Sequence, residues 1–526
     1  MRTLWSVVLC CVPCQAATIT VNVDGGADYT DIQSAIDAAS DGDTVLVGPG
    51  LYVVRASIDF NRLYDHGNPA GPPLKNIVVR SAAGAEATTI LRDPEPTSAQ
   101  DKVNAVVFEN GEDAGSQLIG FRVTGQWPIS GDGVLCANRS SPTIADCVLS
   151  ENIGNGITCV DYSSPAIRNC TIPLNFDRGV SCVNNCAPRI ADCVISQNGG
   201  VMGGGVFCKD NSAPIIRDCT IASNFAAQAG GAVFCYDSST PEISGCRVWG
   251  NLATEGGGIA GGAIVTNCTI TGNLACAGGA VSAGLFTFGR YPRLINCTIA
   301  GNRAPEGMGG LPCGLDGCFT ADVVNCIIWG NTPESLCNKM PGCSTTQDPL
   351  FISEGAFDFS RMPYVAISGG QALRPDFIVE PPDFRLRPGS PAIDIADPSS
   401  APDTDIEGNA RPCWSGVDMG AHEYCGGAAP ARLPQFKRGD VNASGARDIA
   451  DGIFVCGYLF AHGPAPACLD TTDANDDGKL NVADVVALLG HLFAHTGPLP
   501  QPSGSCGIDP TSDDLDCGAY PPCEGP

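Results

Sequence analysis

The chain is poor in positive charge, aromatic side chains and histidine. Its 526 residues include 29 Lys and Arg against 56 Asp and Glu, which gives a formal net charge of −27. This acidity argues against nucleic acid or an anionic membrane as a partner, because both are negatively charged. Only 16% of the residues are charged, whereas 65 are Gly and 40 are Pro. That composition favours turns and short strands over long helices.

Long hydrophobic runs are also missing, so the sequence predicts no transmembrane segment, which needs roughly 18 apolar residues. The N-terminus carries Arg2, a short apolar core from Leu4 to Val12, and small residues at Cys14 and Ala16. This pattern predicts a signal peptide over residues 1–16, and the alternative is a buried first strand. We therefore expect a secreted or cell-surface protein whose cysteines meet an oxidising environment.

Cysteine is abundant and regularly placed. Eight segments, which we call coils, share one register: an aliphatic residue three positions before a reference cysteine, another two after it, and an asparagine five after it. The reference cysteines are Cys147, Cys170, Cys193, Cys219, Cys246, Cys268, Cys297 and Cys326. The asparagines are Asn152, Asn175, Asn198, Asn224, Asn251, Asn273, Asn302 and Asn331. A fixed core with insertions of variable length predicts a solenoid.

The register also predicts the turns and the core. Asp, Asn or Gly precedes each reference cysteine and tolerates a left-handed turn, while prolines five positions before it mark a second corner. The inward asparagines can pass hydrogen bonds from coil to coil. We expect the stacked cysteines to remain buried thiols, with disulfides among the loop cysteines.

A second cysteine row precedes the first by 11 residues. It comprises Cys136, Cys159, Cys182, Cys208 and Cys235. In later coils the same spacing gives Gly257, Phe286 and Leu315. The glycine-rich stretches after the asparagines, such as Gly199 to Gly205, are predicted to be exposed loops.

The N-terminal stretch from Asp28 to Ala39 predicts an amphipathic helix, with Thr30 and Gln33 as a capping box. Together with the coils, this stretch resembles the opening of the right-handed parallel β-helix of the pectate-lyase-like superfamily. The resemblance implies an all-β fold over residues 17–335: a right-handed parallel β-helix solenoid whose open end is plugged by an N-terminal capping helix. Residues 336–430 resemble the C-terminal cap or anchor-type region of exported β-helix proteins. There His422 and Glu423 are a weak acid/base candidate, and a structural cap is the preferred interpretation.

The strongest chemical motif is a duplicated acidic loop. Both copies place oxygen donors at positions 1, 3, 5, 9 and 12 and a glycine at position 6, as in a calcium-binding EF-hand loop, while position 7 offers a backbone carbonyl. The predicted ligands are Asp440, Asn442, Ser444, Ala446, Asp448 and Asp451 in the first loop, and Asp473, Asn475, Asp477, Lys479, Asn481 and Asp484 in the second. Ser444 replaces the usual acid, so the first site is expected to be the weaker. The alternative is a pair of acidic turns that bind no metal.

Each loop runs into an apolar helix, at Ile453 to Phe460 and Val485 to Phe493. Two such units over residues 438–498 resemble a type I dockerin, a small α-helical calcium-binding domain. The resemblance implies calcium as cofactor and a cohesin-like or other surface protein as partner. At positions 10 and 11, where many dockerins carry a Ser-Thr pair, this chain has Ile449-Ala450 and Val482-Ala483, which puts the identity of that partner in doubt. Residues 499–526 are predicted to be a cysteine-containing tail. His462 and His495 end the helices, where placement near a helix C-terminus explains them better than zinc.

Catalysis has only weak candidates. Asp161, Asp210 and Asp237 lie two residues after the second cysteine row, with Arg178, Lys209 and Tyr236 nearby. Stacked carboxylates can bind a sugar or calcium, although Asx residues are also ordinary in turns. Two hypotheses remain: a carbohydrate-active protein of the polysaccharide lyase or glycoside hydrolase type, and a non-catalytic surface or adhesion scaffold.

Overall fold

The computed structural model describes residues 16–68, 70–93, 103–125, 130–277, 281–282, 292–304, 322–331, 343–344, 348–354, 356–357, 378–380, 382–426, 435–461, 463–494, 496–504, 506–507, 515, 517 and 520–523. Most of the predicted signal peptide, together with Phe286, Leu315, His462 and His495, lies outside these residues. The chain forms two compact units. The first comprises Met1–Arg387 and Ala392–Cys425, and the second comprises Pro388–Pro391 and Gly426–Pro526.

The first unit is a parallel β-solenoid, as the register predicts. Each regular coil contributes one short strand to each of three parallel sheets. Sheet 1 contains Thr18–Val21, Thr44–Val47, Val78–Ser81, Gln117–Ile119, Thr143–Ala145, Ala166–Arg168, Arg189–Ala191, Ile215–Arg217, Glu242–Ser244, Ile264–Thr266, Arg293–Ile295 and Asp322–Val324. Sheet 2 contains Gly50–Val54, Thr88–Arg92, Arg122–Gly125, Val148–Leu149, Thr171–Pro173, Val194–Ser196, Thr220–Ala222, Arg247–Trp249, Thr269–Thr271, Thr298–Ala300, Cys326–Trp329 and Cys343–Ser344. Sheet 3 contains Ile58–Asp59, Val106–Phe108, Val134–Cys136, Ile157–Val160, Val180–Val183, Val206–Lys209, Val233–Cys235, Ile259–Ala260 and Val281–Ser282.

Like residues pair with like between neighbouring coils. Ile144 pairs with Ile167 in sheet 1, and Cys159 pairs with Cys182 in sheet 3. These side chains are buried in one continuous core with the aliphatic rows. The cysteines of both rows are free thiols, whereas the disulfides among the described residues join Cys413–Cys425, Cys468–Cys517 and Cys506–Cys523. The expectation of thiol ladders with disulfides elsewhere is confirmed.

The corner between sheets 1 and 2 is a left-handed turn in every regular coil. Asp146, Asn169 and Asp192 have φ of 54°, 51° and 54°, and Gly245 has 64°. Asn, Asp and Gly tolerate this backbone conformation at least cost, which explains why they precede each reference cysteine. The predicted turn is confirmed.

Two predictions about the loops are wrong. Strand pairing of Val233 with Ile259 and Phe234 with Ala260 makes Gly261, not Gly257, the successor of Cys235. The corner that follows is shorter there, so counting back 11 residues loses the register. The stretch predicted as an exposed loop instead contributes to a fourth parallel sheet. Its strands are Gly199–Met202, Phe225–Ala229, Leu252–Glu255 and Leu274–Ala277.

Helix α1 (Ile32–Ala38) lies at the N-terminal end, with Ile32, Ala35 and Ile36 buried. Its N-cap is Asp31, whose carboxylate accepts the Ser34 N–H at 2.8 Å. The predicted capping box of Thr30 and Gln33 is therefore wrong by one residue. The Gln33 side chain instead exchanges two hydrogen bonds with the Asp59 backbone, which ties the helix to sheet 3.

Residues 382–387 and 392–425 of the first unit pack on the side of the later coils. The N–H of Ala421 donates to Thr298 Oγ1, and Asn296 Nδ2 donates to the Asp418 carbonyl. Their apolar side chains cover the outward faces of Ala300 and Ile327. Short antiparallel pairs join Phe351–Ser353 to Asp383–Leu386 and Ala356–Phe357 to Ile378–Glu380.

The second unit contains helices α2 (Ile449–Phe460) and α3 (Val482–Leu489), and a π-helical turn, Gly490–Ala494, follows α3. Short 3-10 turns lie at Leu469–Thr471 and Pro521–Cys523. Both α-helices exist as predicted but begin earlier, because the residue at loop position 9 caps each one. Among the described residues, no helix is long and apolar enough to cross a membrane.

Candidate functional site

The three candidate carboxylates lie in one row at the corner after sheet 3. Asp161, Asp210 and Asp237 have φ of 53°, 54° and 55°, so each occupies the same left-handed turn position. Asn184, which lies between Asp161 and Asp210 in the stack, has φ of 63° and donates from Nδ2 to Asp161 Oδ1 at 2.6 Å. The backbone conformation explains why Asx residues recur here, as the turn interpretation predicts. It also presents their side chains to solvent as a ladder.

Asp210 and Asp237 form the chemically distinct part of this row. Burial, and then a hydrogen bond shared with the Asp210 carboxyl, raise the pKa of Asp237 above its ordinary value. Lys209 Nζ lies 3.7 Å from Asp210 Oδ2 and opposes this effect. The site therefore combines two adjacent carboxyl groups with one ammonium group, which is a suitable set of hydrogen-bonding partners for sugar hydroxyls.

Aromatic rings flank this pair. The Lys209 ammonium lies 5.9 Å from the Tyr236 ring centroid, and Tyr236 stacks with Phe234 at a centroid distance of 6.1 Å. Phe234 in turn stacks with Phe207 at 6.0 Å, and the Arg178 guanidinium covers Phe207 at 4.4 Å. Phe207 and Phe234 are buried on the outer side of sheet 3 in a separate apolar cluster. Tyr236 packs against this cluster, and both Tyr236 and Lys209 are half-buried.

A second cation–aromatic contact lies further along the row. The Arg139 guanidinium is 5.5 Å from the Tyr162 ring centroid, and both side chains are exposed. Sequence reasoning missed Tyr162, Phe207 and Phe234. Phe207 and Phe234 each precede a cysteine of the second row by one residue, and this shared offset was the available signal, because residues at one offset stack in neighbouring coils. Tyr162 follows Cys159 by three residues, as Arg139 follows Cys136.

His422 and Glu423 do not form an acid/base site. Both are buried, and burial lowers the pKa of His422 to about 4, so the imidazole is neutral near pH 7. The Glu423 carboxylate accepts the N–H groups of Cys413 and Asp418 and lies 3.5 Å from the Arg411 guanidinium. These contacts are structural, in agreement with the preferred cap interpretation.

In the first acidic loop, hydrogen bonds link several of the predicted ligands. Asp440 and Asp451, at positions 1 and 12, are fully buried. Asp440 accepts the N–H groups of Ser444 at 3.0 Å and Gly445 at 2.7 Å, and Asp451 accepts the Asn442 N–H at 3.1 Å. Each carboxylate is thus held by backbone donors of its own loop.

The second loop repeats this geometry. Asp473 accepts the N–H groups of Asp477 at 3.2 Å and Gly478 at 2.8 Å, and Asp484 accepts the Asn475 N–H at 3.4 Å. Burial, opposed by backbone hydrogen bonds and supported by a hydrogen bond shared with Asp473, raises the pKa of Asp484 to about 6. Two buried carboxylates in contact repel each other, and a bound divalent cation would offset that repulsion. The residues therefore fit calcium.

Positions 7 and 9 complete the loops. Asp448 and Asn481, at position 9, cap α2 and α3 by accepting the N–H groups of Ala450 and Ala483. At position 7, the carbonyl of Ala446 accepts Ser444 Oγ–H at 3.0 Å and that of Lys479 accepts Asn481 Nδ2–H at 3.4 Å. Hydrogen bonds therefore link members of each predicted ligand set within its own loop.

Tyr520 enters the first loop from the C-terminal tail, and the sequence analysis did not predict it. Its hydroxyl donates to Asp440 Oδ2, and the side chain is almost fully buried. Burial, and then the Asp440 carboxylate, raise the pKa of Tyr520, so the hydroxyl keeps its proton. No local pattern signals a contact across 80 residues.

Within the described ranges, only Cys468, Asp470 and Cys517 form a group of three metal-ligand side chains with their ligand atoms within 4.8 Å of one another, and neither acidic loop brings three carboxylates that close. The two sulfur atoms are joined in a disulfide. They offer no thiolate, so this group is not a metal site in the oxidised protein.

Comparisons with known proteins give one match to a family model and several solved structures of low similarity. Residues 104–261 match the family model described as the right handed beta helix region. A comparison with curated protein sequences found no match. Pectate lyase Pel9A is 14% identical, with a TM-score of 0.43 over 78% of this chain and 96% of that chain. The A-module of the Azotobacter vinelandii mannuronan C-5 epimerase AlgE6 is 17% identical, with 0.33 over 60% and 93%. Pectin methylesterase from carrot is 13% identical, with 0.28 over 63% and 88%.

The topology defines the class of the first unit, a parallel β-helix, and the family model that matches residues 104–261 describes a right-handed one. Residues 104–261 are similar to that family, and the same pattern of sheets extends over coils on both sides of the matched range.

Proposed function

We propose that the protein is a secreted or cell-surface, carbohydrate-active β-helix protein that binds or degrades a polysaccharide. The observation that carries the proposal is the pair Asp210 and Asp237 beside Lys209 and Tyr236 on the outer surface of sheet 3. Carboxylates hydrogen-bond sugar hydroxyls, an ammonium group attracts acidic glycans, and an aromatic ring packs against the apolar face of a sugar. If the protein is an enzyme, its reaction is of the polysaccharide lyase or glycoside hydrolase type.

The left-handed backbone at all three acidic positions favours the second candidate, a non-catalytic surface or adhesion scaffold. A turn that needs Asp or Asn does not by itself require chemistry. The two candidates differ in turnover. Binding without product release identifies the scaffold, and release of reducing ends or unsaturated sugars identifies the enzyme.

A panel of uronate-containing and neutral polysaccharides, assayed for reducing sugar, unsaturated products and binding, tests this proposal. The double variant Asp210→Asn, Asp237→Asn should weaken binding or turnover by about 10-fold or more, because charge-assisted hydrogen bonds are lost. The matched control is Asp192→Asn, Asp218→Asn, which changes the same left-handed position at the other corner. Equal behaviour of both double variants, or no response to any glycan, refutes the proposal.

We also propose that the second unit is a calcium-dependent, dockerin-like module for protein assembly. Each loop holds two buried carboxylates by backbone N–H groups, Asp440 with Asp451 and Asp473 with Asp484, and these supports for an anionic oxygen site favour calcium. A duplicated apolar surface supports a protein partner: Ile449, Ile453 and Phe460 on the first copy, and Val482, Val486 and Phe493 on the second, are each more than half exposed. Exposed apolar patches commonly mark interaction sites. A cohesin-like or other surface protein is the proposed partner.

Calcium should raise the thermal stability of the wild-type protein and should not do so in Asp440→Ala, Asp473→Ala. Because a protein of net charge −27 also attracts calcium non-specifically, Asp113→Ala, Asp397→Ala in the first unit is the charge-matched control. Scanning calorimetry in calcium and in chelator gives the readout. Stabilisation that persists in the loop variant contradicts the assignment.

A further inference from the structure

The C-terminal tail is held against the first calcium loop by Tyr520. The Tyr520 hydroxyl donates to Asp440 Oδ2, and the ring packs in a cluster with Phe436 and Ala443. The Cys468–Cys517 disulfide anchors the chain just before Tyr520, and Cys506–Cys523 anchors it just after. The tyrosine is therefore fixed covalently on both sides.

The two loops differ at the carboxylate of position 1. Asp440 and Asp473 each accept the amide of the position 6 glycine, at 2.7 and 2.8 Å. Asp440 then receives the tyrosine hydroxyl, whereas Asp473 shares a hydrogen bond with Asp484. The second loop thus provides an internal reference for the effect of the tail.

We propose that Tyr520 is a positioning residue for calcium at the first loop, where it orients the Asp440 carboxylate. This inference rests on the proposed calcium function of the second unit. Hydrogen bonds from outside a ligand shell fix the orientation of the ligand, and their loss typically costs about 10- to 100-fold in metal affinity. The first loop depends on this support because Ser444 supplies a neutral oxygen at position 5, where the second loop has Asp477. The tail therefore raises the affinity of the weaker site.

Calorimetric calcium titration of four full-length variants tests this role. Asp473→Ala leaves only the first loop intact, Asp440→Ala leaves only the second, and each is combined with Tyr520→Phe. The phenylalanine keeps the packing of the ring and removes only the hydroxyl. We expect Tyr520→Phe to weaken calcium binding about 10-fold in the Asp473→Ala background and by less than about 2-fold in the Asp440→Ala background. Tyr458→Phe on α2 is the control.

The outcomes separate this inference from the function on which it rests. Calcium binding by Asp473→Ala that is unaffected by Tyr520→Phe overturns the positioning role and leaves the calcium function standing. Equal weakening in both backgrounds overturns it too, because it shows a general loss of stability. If the wild-type protein binds no calcium at either loop, the proposed function itself fails, and the inference with it.

Discussion

In the asparagine row, a single residue type satisfies buried backbone and side-chain polar groups of neighbouring coils. Asn224 Oδ1 accepts both the backbone N–H and the side-chain amide of Asn198, at 3.1 and 3.0 Å. Its Nδ2 donates to the Ile195 carbonyl at 2.9 Å and to Asn251 Oδ1 at 3.0 Å. All these groups are buried, so each coil depends on its neighbour for satisfied polar groups.

Asn224→Ala should destabilise the first unit by about 3 kcal/mol, because buried donors and acceptors lose their partners. Asn152→Ala should cost about half as much, because Asn152 Oδ1 has no partner among the described residues and fewer bonds are lost. Denaturant unfolding of both variants measures the difference. Equal costs would contradict the cooperative ladder.

At the scale of elements, α1 is joined to sheet 3 beside a partly buried acid. The Asp59 carboxylate accepts the Asn61 N–H at 2.9 Å. Burial first, and then Glu109 and Glu112, raise the pKa of Asp59 to about 6, while Arg62 lowers it. The folded state therefore binds a proton more tightly than the unfolded chain. The corresponding stability is present below about pH 4 and is lost as the pH rises through about 6.

Asp59→Asn should remove this loss of stability at higher pH, because the amide does not ionise. Its oxygen can still accept the Asn61 N–H. The thermal midpoint of the variant should rise relative to wild type between about pH 4 and about pH 7. Thermal denaturation across that range checks the expectation, with exposed Asp41→Asn as the charge-matched control. A constant difference between Asp59→Asn and wild type at all pH values would refute it.

The elements also show what a sequence can specify. The Cys and Asn rows and the left-handed turns were predictable because inward faces and turn residues are encoded locally in each coil. Gly261 and the fourth sheet were missed because strand pairing, not residue counting, sets the register after an insertion. The predicted N-cap was Thr30 and the observed one is Asp31, because both residue types can cap a helix and their sequence does not decide between them. The contact of Gln33 with Asp59, which depends on tertiary structure, holds the first turn of the helix in place. In the second unit, the duplicated acidic loops were readable from spacing, whereas the contact of Tyr520 with Asp440 depends on tertiary structure.

At the scale of the whole molecule, the thiol ladders combine many reactive side chains with very little exposure. Backbone N–H groups of Cys193 and Cys219 each lie 3.4 Å from the sulfur of the next coil. Burial raises the pKa of Cys268 and Cys326 well above the ordinary thiol value. The thiolate, which is the reactive form, is therefore disfavoured at these positions of the ladder.

Alkylation of the native protein followed by peptide mass spectrometry should leave the ladder cysteines unmodified, while partly exposed Cys456 on α2 reacts. The same treatment after denaturation should label them all. Labelling of Cys193 or Cys219 without unfolding would show that the coils open locally. Unreacted Cys456 would instead show that this side chain is covered in solution.

The repeated rows of cysteine and asparagine affect how the number of coils can change in evolution. Because every coil presents nearly the same upper and lower face, adjacent coils meet across nearly the same interface. A coil gained by duplication, or lost by deletion, would bring together two faces that already fit. Cys147 and Cys170, Cys170 and Cys193 are separated by the same number of residues, so such an event needs no further adjustment there. The length of the first unit can therefore evolve in whole coils, independently of the loops that diversify its surface.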